Sequence, residues 1–366
     1  MLGSYTASPL YGDACMMHVR SSLARGPNGE KMIQLRHHDF VLELRHTFRL
    51  ARGDSDSRRV LMVEIEHEGL VGRGEAAPIA RYGQDTASAA RAAETMAARL
   101  EEPQYFDSVA ARVAVRGQPA AEAAIDMAVR DLAGKRLGVP LYELMGIDPG
   151  TMPVTSFTIG MDTPEIVEQK VHEADAFRVL KVKLGSDDDR HVLETVRRLT
   201  DRPVRVDANE GWTLEDALER LEWLQEMGVE FVEQPLPADR LDEMRELKRQ
   251  SPLPLIADES VGRAEDIPRL ADAFDGINIK LMKCGGLGEA LRMIHVARAH
   301  GMQVMLGCMV ESSMAVTAAA HIAPLVDYAD LDGNLLITND PYTGVRIEEG
   351  RLVLPSEPGL GVRDRE

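Results

Sequence analysis

From residue 151 onward one rhythm governs the chain. Short β-rich runs, each closed by a polar residue, alternate with amphipathic helical stretches. The closing residues Lys183, Asp207, Glu233, Asp258 and Lys280 follow one another at gaps of 24, 26, 25 and 22 residues. A strand of ~5 residues, a helix of ~12 and two short loops use up about that length. Strand-like runs at 154–159, 179–183, 204–207, 231–233, 255–258, 276–280, 303–306 and 326–332 make eight such units within 151–333. Eight βα units of this size predict an α/β chain whose parallel strands are buried in a (β/α)8-type TIM barrel. A doubly wound open sheet is the competitor. It usually opens on a Gly-rich phosphate turn, and Gly160-Met161-Asp162 is not one.

Residues 32–150 have another texture. The run 60–66 (VLMVEIE) alternates, and 71–75 follows across a turn at Glu68-Gly69. Two Ala-rich helical segments come next, at 86–101 and 119–137, the second with Ala124, Ile125, Ala128 and Leu132 at helical spacing. This predicts an N-terminal α+β domain, completed by the segment 334–366 folding back onto it. Residues 1–31 hold no periodicity and read as a disordered extension, with Met32 a natural start. A transit peptide is the other reading, because Arg20 and Arg25 sit among small residues; Asp13 and the absence of a clear cleavage site oppose it.

Composition narrows the function classes. With 42 Lys+Arg against 60 Asp+Glu, the formal net charge is −18, which argues against a nucleic-acid partner. Cys15, Cys284 and Cys308 cannot build a disulfide framework and suit a reducing, cytoplasmic setting. No run of ~18 apolar residues offers a membrane span.

In such a barrel the strand C-termini face the active site. Asp207, Glu233 and Asp258 end three adjacent strands. Unpaired carboxylates at such spacing repel and raise one another's pKa. A hard divalent cation resolves that cost, and oxygen-only ligands select Mg2+ over zinc. Three separate salt-bridged core acids are the plainer account. Lys181 and Lys183 share one face of their strand, and Lys280 ends the strand across the barrel. Each lysine alone could be an ion-pair partner; Lys183 and Lys280 flanking a metal together suggest two acid/base groups. Asp330 and Asp332 end the last strand on one face. They suit an ammonium, or else cap the loop before Gly333.

At these residues the chain resembles the enolase superfamily, in its muconate-lactonising subgroup, and within that the dipeptide epimerases. The resemblance covers residues 32–360. It rests on Lys181-x-Lys183, Asp207-x-Asn209, Glu233-Gln234-Pro235, Asp258-Glu259-Ser260 and Lys280-x-x-Lys283-x-Gly285-Gly286, in order, with Asp330-x-Asp332 and the run 307–312 (GCMVES). It implies Mg2+ on Asp207, Glu233 and Asp258, acid/base roles for Lys183 and Lys280, and positive charge from Lys181 near a substrate carboxylate. It further implies substrate contacts at Thr158, Cys308, Met309 and Val310, and ammonium binding by Asp330 and Asp332. Asn209 and Glu259 stand near the metal. The N-terminal domain becomes a cap over the barrel mouth, and a homo-oligomer is expected. The reaction implied is inversion at the α-carbon of a dipeptide's C-terminal residue. A lysine base, with Mg2+ stabilising the enediolate that forms, is the chemistry this superfamily is known for.

The resemblance breaks in the segment 48–56. Similar Ala-Glu epimerases often carry an arginine one residue after the position of Asp54, and here that residue is Ser55, flanked by Asp54 and Asp56. This predicts a substrate other than Ala-Glu, with a basic or apolar second residue. Arg49 or Arg52 could swing in instead, or the two acids could simply face water. Cycloisomerisation, o-succinylbenzoate synthesis and N-succinyl amino acid racemisation are the rival reactions. Their substrates present no free ammonium for Asp330 and Asp332. A metal-independent Schiff-base lyase using Lys183 and a non-catalytic peptide-binding barrel are rivals of other classes.

Overall fold

The computed structural model describes residues 20–24, 33–50, 53–100, 103, 106 and 113–366. Four antiparallel strands open the chain in spatial order: β1 (Arg20–Ala24), β2 (Ile33–Leu50), β3 (Gly53–His67) and β4 (Leu70–Ala76). β3 and β4 meet across Glu68 and Gly69, at φ 55° and 80°, the left-handed pair that a two-residue hairpin turn needs. Against this sheet lie α1 (Thr86–Ala97) and α2 (Pro119–Leu137). α2 starts on proline, ends at Gly138 with φ 73°, and is buried at every position from Ala120 to Gly134. Small side chains allow that depth. Gly72 and Gly74 of β4 run so close to α2 that a Cβ at either would meet the carbonyl oxygen of Ala128 or Ala124 at 2.0 Å.

Two expectations change in detail. Within the segment read as a disordered extension, Arg20–Ala24 is a strand paired with β2; residues 1–19 and 25–32 lie outside the described residues. Most of the segment 48–56 is strand rather than loop: residues 48–50 of β2 pair with 53–55 of β3, the register is interrupted between Glu43 and Phe48, and residues 51–52 lie outside the described residues. The side chains of Arg49 and Arg52 lie outside the described residues.

The second sheet is parallel throughout and runs in chain order: β5 (Ser156–Ile159), β6 (Val179–Lys183), β7 (Val204–Asp207), β8 (Val229–Glu233), β9 (Leu255–Ala257), β10 (Gly276–Lys280), β11 (Gln303–Gly307) and β12 (Tyr328–Asp330). A parallel bridge between Thr155 and Ala329 joins the last strand to the first and closes the barrel. Outside it stand α3 (Pro164–Glu173), α4 (Asp189–Leu199), α5 (Leu214–Glu226), α6 (Leu241–Gln250), α7 (Leu287–Ala299) and α8 (Ser313–Ala320), with a single helical turn, Ile267–Leu270, between β9 and β10. The lower interior is a packed plug. Phe231, Ile256, Met305 and Tyr328 cluster there, and the Arg205 guanidinium lies 5.4 Å and 4.8 Å from the Phe231 and Tyr328 rings. Chemistry is thereby confined to the strand C-termini.

Past Asp332 the chain returns to the first domain. Arg45 N donates to Leu336 O, Thr338 N to Glu43 O and Leu360 N to Asp131 Oδ1, each at 2.8 Å. Two small antiparallel pairs belong to this tail: β13 (Tyr342–Thr343) with β16 (Arg363–Asp364), and β14 (Arg346–Glu348) with β15 (Arg351–Val353). No helix among the described residues is long and apolar enough to cross a membrane.

Candidate active site

Strand register decides which side chains reach the mouth. Lys183 stands level with Asp207, and Asp207 level with Glu233. Glu233 pairs with Ile256, so Asp258 rises two residues higher, just past the end of β9. Each of Asp207, Glu233 and Asp258 brings an oxygen within 4.8 Å of the others, and all three residues are buried. Oxygen-only, triply anionic and enclosed, this donor set fits a hard divalent cation such as Mg2+. Glu233 Oε2 is buried and faces the Lys181 ammonium at 2.8 Å. The other oxygen, Oε1, is held by Asn278 Nδ2 at 2.7 Å.

Four lysines lie against the acids. Lys183 Nζ donates to Asp207 Oδ2 at 2.6 Å and to Asn209 Oδ1 at 3.2 Å. Lys280 Nζ donates to Asp258 Oδ2 at 2.9 Å. Their strands, β6 and β10, stand four apart in the eight-stranded barrel, so the two ammoniums approach the acids from opposite sides. Lys181 Nζ lies 2.8 Å from Asp330, 2.8 Å from Glu233 and 3.1 Å from Asp207, and its side chain also lines the cavity above them. The other Asp330 oxygen accepts from Ser156 Oγ at 2.6 Å. Asp332 accepts from Thr158 N at 2.6 Å.

The electrostatics follow from depth and neighbours. Burial alone would raise the Asp207 and Asp258 carboxyls, but the lysines beside them hold both below the usual range. Glu233 is pushed up to about 7 by burial and then by Asp207. Asp332 is also raised to about 7, by burial and then by Asp330. Lys181 resists the effect of burial, and Asp330, Glu233 and Asp207 keep it firmly protonated. Burial first, then Asp332 and Glu311, holds the Cys308 thiol well above its ordinary value, which leaves it an unreactive wall.

Above the acids lies a cavity of about 410 Å3, within the ~300–1,000 Å3 of small-molecule sites. Its walls bring together Lys181, Lys183, Lys280 and Asp258 with Thr158, Asp330 and Asp332. Cys308, Met309 and Val310 form another side, and Asp54 and Ser55 reach it from the hairpin tip. Asp207 and Glu233 are not wall residues; they lie beneath it.

Sequence reasoning missed several contributors. Lys283, in the Lys-x-x-Lys motif, bonds both Asp258 Oδ1 and, at 2.6 Å, the Asp258 carbonyl. Gln234, at φ 36°, accepts from the Asp258 and Ser260 amides at 2.9 and 3.1 Å and so fixes the turn after β9. Ile79, Arg81 and Tyr82 bring the first domain over the cavity, where Arg81 is latched to Glu210 at 2.7 Å. Arg58 on β3 also lines the cavity. Motif position could have flagged Lys283; nothing local marks Arg58.

Comparison with known proteins agrees with this geometry. Residues 165–366 match the Enolase C-terminal domain-like family, and residues 32–146 match the mandelate racemase / muconate lactonizing enzyme N-terminal domain. An L-Ala-D/L-Glu epimerase of Bacteroides thetaiotaomicron is 44% identical over 333 residues, covering 88% of this chain and 86% of that protein. An L-Lys-D/L-Arg epimerase of Methylococcus capsulatus is 39% identical over 354 residues, covering 90% and 98%. Among solved structures, a dipeptide epimerase from Cytophaga hutchinsonii complexed with Mg and the dipeptide D-Ala-L-Val superposes with a TM-score of 0.86 at 26% identity, covering 91% of this chain and 95% of that one.

Proposed function

The chain belongs to the mandelate racemase / muconate lactonizing enzyme family of the enolase superfamily, and on that premise we propose that it is an Mg2+-dependent dipeptide epimerase. The observation that carries the reading is the pair Lys183 and Lys280, on strands β6 and β10, flanking a buried three-carboxylate group from two sides. Relatives named as epimerases of different dipeptides support the substrate class.

Asp207, Glu233 and Asp258 would hold the cation, whose charge stabilises the enediolate that forms when the α-proton leaves. Lys183 takes or returns a proton on one face of the α-carbon, and Lys280 does so on the other, which inverts the centre. Lys283 and Gln234 keep Asp258 in place. Asp330 and Asp332 receive the substrate ammonium at the far end of the cavity, with Asp332 the less satisfied of the two. Thr158, Met309 and Val310 shape the space between, and the loop bearing Tyr82 excludes water from above.

Deuterium uptake at the dipeptide α-carbon in D2O with Mg2+ tests this. Lys183→Ala and Lys280→Ala should each lose about 10²–10⁴-fold in epimerisation, and each should at most wash out the α-proton of one isomer. Full turnover by both variants would end the two-lysine reading. The expected preference for a basic or apolar second residue rests on Asp54 and Asp56 beside Ser55. Asp56 is occupied by Thr47 Oγ1 at 2.6 Å, and the cation on this wall is Arg58.

A further inference from the structure

Just after β7 the backbone turns left-handed at two residues that are not glycine. Asn209 stands at φ 44° and Glu210 at φ 67°. Such positions are costly and persist only where the surroundings hold them. This turn touches the chemistry. Asn209 Oδ1 accepts from Lys183 Nζ at 3.2 Å, and Asn209 N donates to Asp207 Oδ1 at 3.0 Å. Among the described residues, Lys183 donates to Asp207 and Asn209 alone. Asp207 also belongs to the three-carboxylate group, so Asn209 is the acceptor that aims the ammonium.

Both domains hold the turn. From the barrel, Glu210 N donates to Gln234 O and Gly211 N to Ala208 O, each at 2.8 Å. The Glu210 carboxylate is only 8% exposed and accepts from Ala238 N at 2.8 Å. From the first domain comes Arg81, in the helical turn Ala80–Tyr82. Its Nη2 lies 2.7 Å from Glu210 Oε1 and 2.5 Å from Oε2. An exposed ion pair contributes little, but this one ends on an enclosed carboxylate already fixed to backbone, so its geometry is set. Lys280 depends on other contacts. It donates to Asp258 Oδ2 at 2.9 Å, while Lys283 holds Oδ1.

We propose that Arg81 is a positioning residue for Lys183. It acts through Glu210 and Asn209, so the first domain aims one of the two acid/base groups and leaves the other alone. The proposal rests on the dipeptide-epimerase reading.

That asymmetry gives a readout that a purely structural contact would not move. Each lysine works on one face of the α-carbon, so proton loss from one epimer reports Lys183 and from the other Lys280. The test uses the full chain with Mg2+ in D2O. The probe is whichever of L-Ala-L-Glu, L-Ala-L-Leu and L-Ala-L-Lys wild type exchanges fastest, beside its epimer at the second residue. Asn209→Ala, which removes the acceptor on Lys183, identifies the epimer that Lys183 deprotonates. Arg81→Met and Glu210→Gln should each lower kcat for proton loss from that same epimer about 10- to 100-fold, the cost of a slightly misplaced group. KM should barely change, and the other epimer should lose its proton near the wild-type rate, by washout without inversion. Arg81→Lys should recover part of the loss. Equal losses from both epimers, a folding defect included, would overturn the proposal and leave the epimerase reading intact. So would unchanged rates, a loss confined to KM, a loss from the opposite epimer, or an effect of Arg81→Met that Glu210→Gln does not share. A wild type that exchanges none of the dipeptides would overturn both readings.

Discussion

Lys283 stands three residues after Lys280, and the two bind different oxygens of Asp258. One lysine is thus free to meet substrate when the other still holds the carboxylate. Lys283→Met should therefore lower kcat about 10- to 100-fold with a smaller change in dipeptide KM, because it misorients Asp258 without removing an acid/base group. An unchanged kcat would show that Gln234 alone fixes Asp258. His321 offers a pH prediction at the same scale. Its Nδ1 accepts from Tyr142 N, its Nε2 faces Leu360 O, both at 3.2 Å, and burial lowers its pKa to about 4 from 6.5. The unfolded chain binds this proton more readily, so the stabilisation is complete above pH ~6.5 and is lost as pH falls toward ~4. Urea titrations of wild type and His321→Gln should diverge across that window by up to roughly 3 kcal/mol. The acids and paired lysines were legible because a strand end fixes where a side chain points. Arg58 was not, since its place on the cavity is set by the β2–β3 register and by no local pattern.

At the scale of elements, the first domain docks by supplying acceptors to barrel helices. Asp126 of α2 accepts from Leu287 N and Gly288 N, at 2.6 and 3.3 Å, at the start of α7. Glu75 of β4 accepts from Ser312 N at 3.1 Å and from the Ser312 hydroxyl, at the start of α8. Both acids meet helix N-terminal amides, where negative charge is favourable, but burial and then Glu311 push the Glu75 carboxyl up to about 8, so it docks as a neutral group at pH 7. Close approach has a backbone condition. Gly286 sits at φ 114°, and a Cβ there would lie 2.7 Å from the Asp126 Cβ. Gly286→Ala should therefore cost on the order of 2–4 kcal/mol in denaturant unfolding, whereas Gly262→Ala, with only Asp266 Oδ2 at 3.5 Å, should cost well under ~1 kcal/mol. Equal losses would mean that the docking is looser than these contacts imply. The Gly285-Gly286 pair was visible as a motif, but the reason for it was not, because the colliding residue lies 160 positions away (286 − 126). The hairpin tip was read as a loop for a related reason. Its polar run of Gly, Asp and Ser lacks strand propensity, and cross-strand pairing overrides that preference.

Across the whole molecule, the barrel rhythm was readable because helices and strands of one size repeat. Closure was not, since it depends on a bridge between Thr155 and Ala329 that no local pattern encodes. Closure is what forces the acids together, and this sets function against stability. Glu233 is buried, and its carboxyl is raised to about 7 by burial and then by Asp207, although Lys181 Nζ lies 2.8 Å from its Oε2. A carboxyl raised in the folded state destabilises that state once pH exceeds the unfolded value of 4.5, and the penalty is fully developed above ~7. Glu233→Gln keeps an oxygen for Asn278 and removes the charge. In EDTA at pH 8 the variant should be more stable than wild type, by on the order of 1–3 kcal/mol, and the advantage should vanish below pH ~4.5. Saturating Mg2+ should reverse the order. A cation at 100 times its Kd stabilises a folded protein by about 2.7 kcal/mol, and only wild type keeps all three acids. Thermal melts at pH 8 with EDTA and with Mg2+ therefore carry opposite signs if these acids are a metal site. A structural acid would make Glu233→Gln the less stable protein in both.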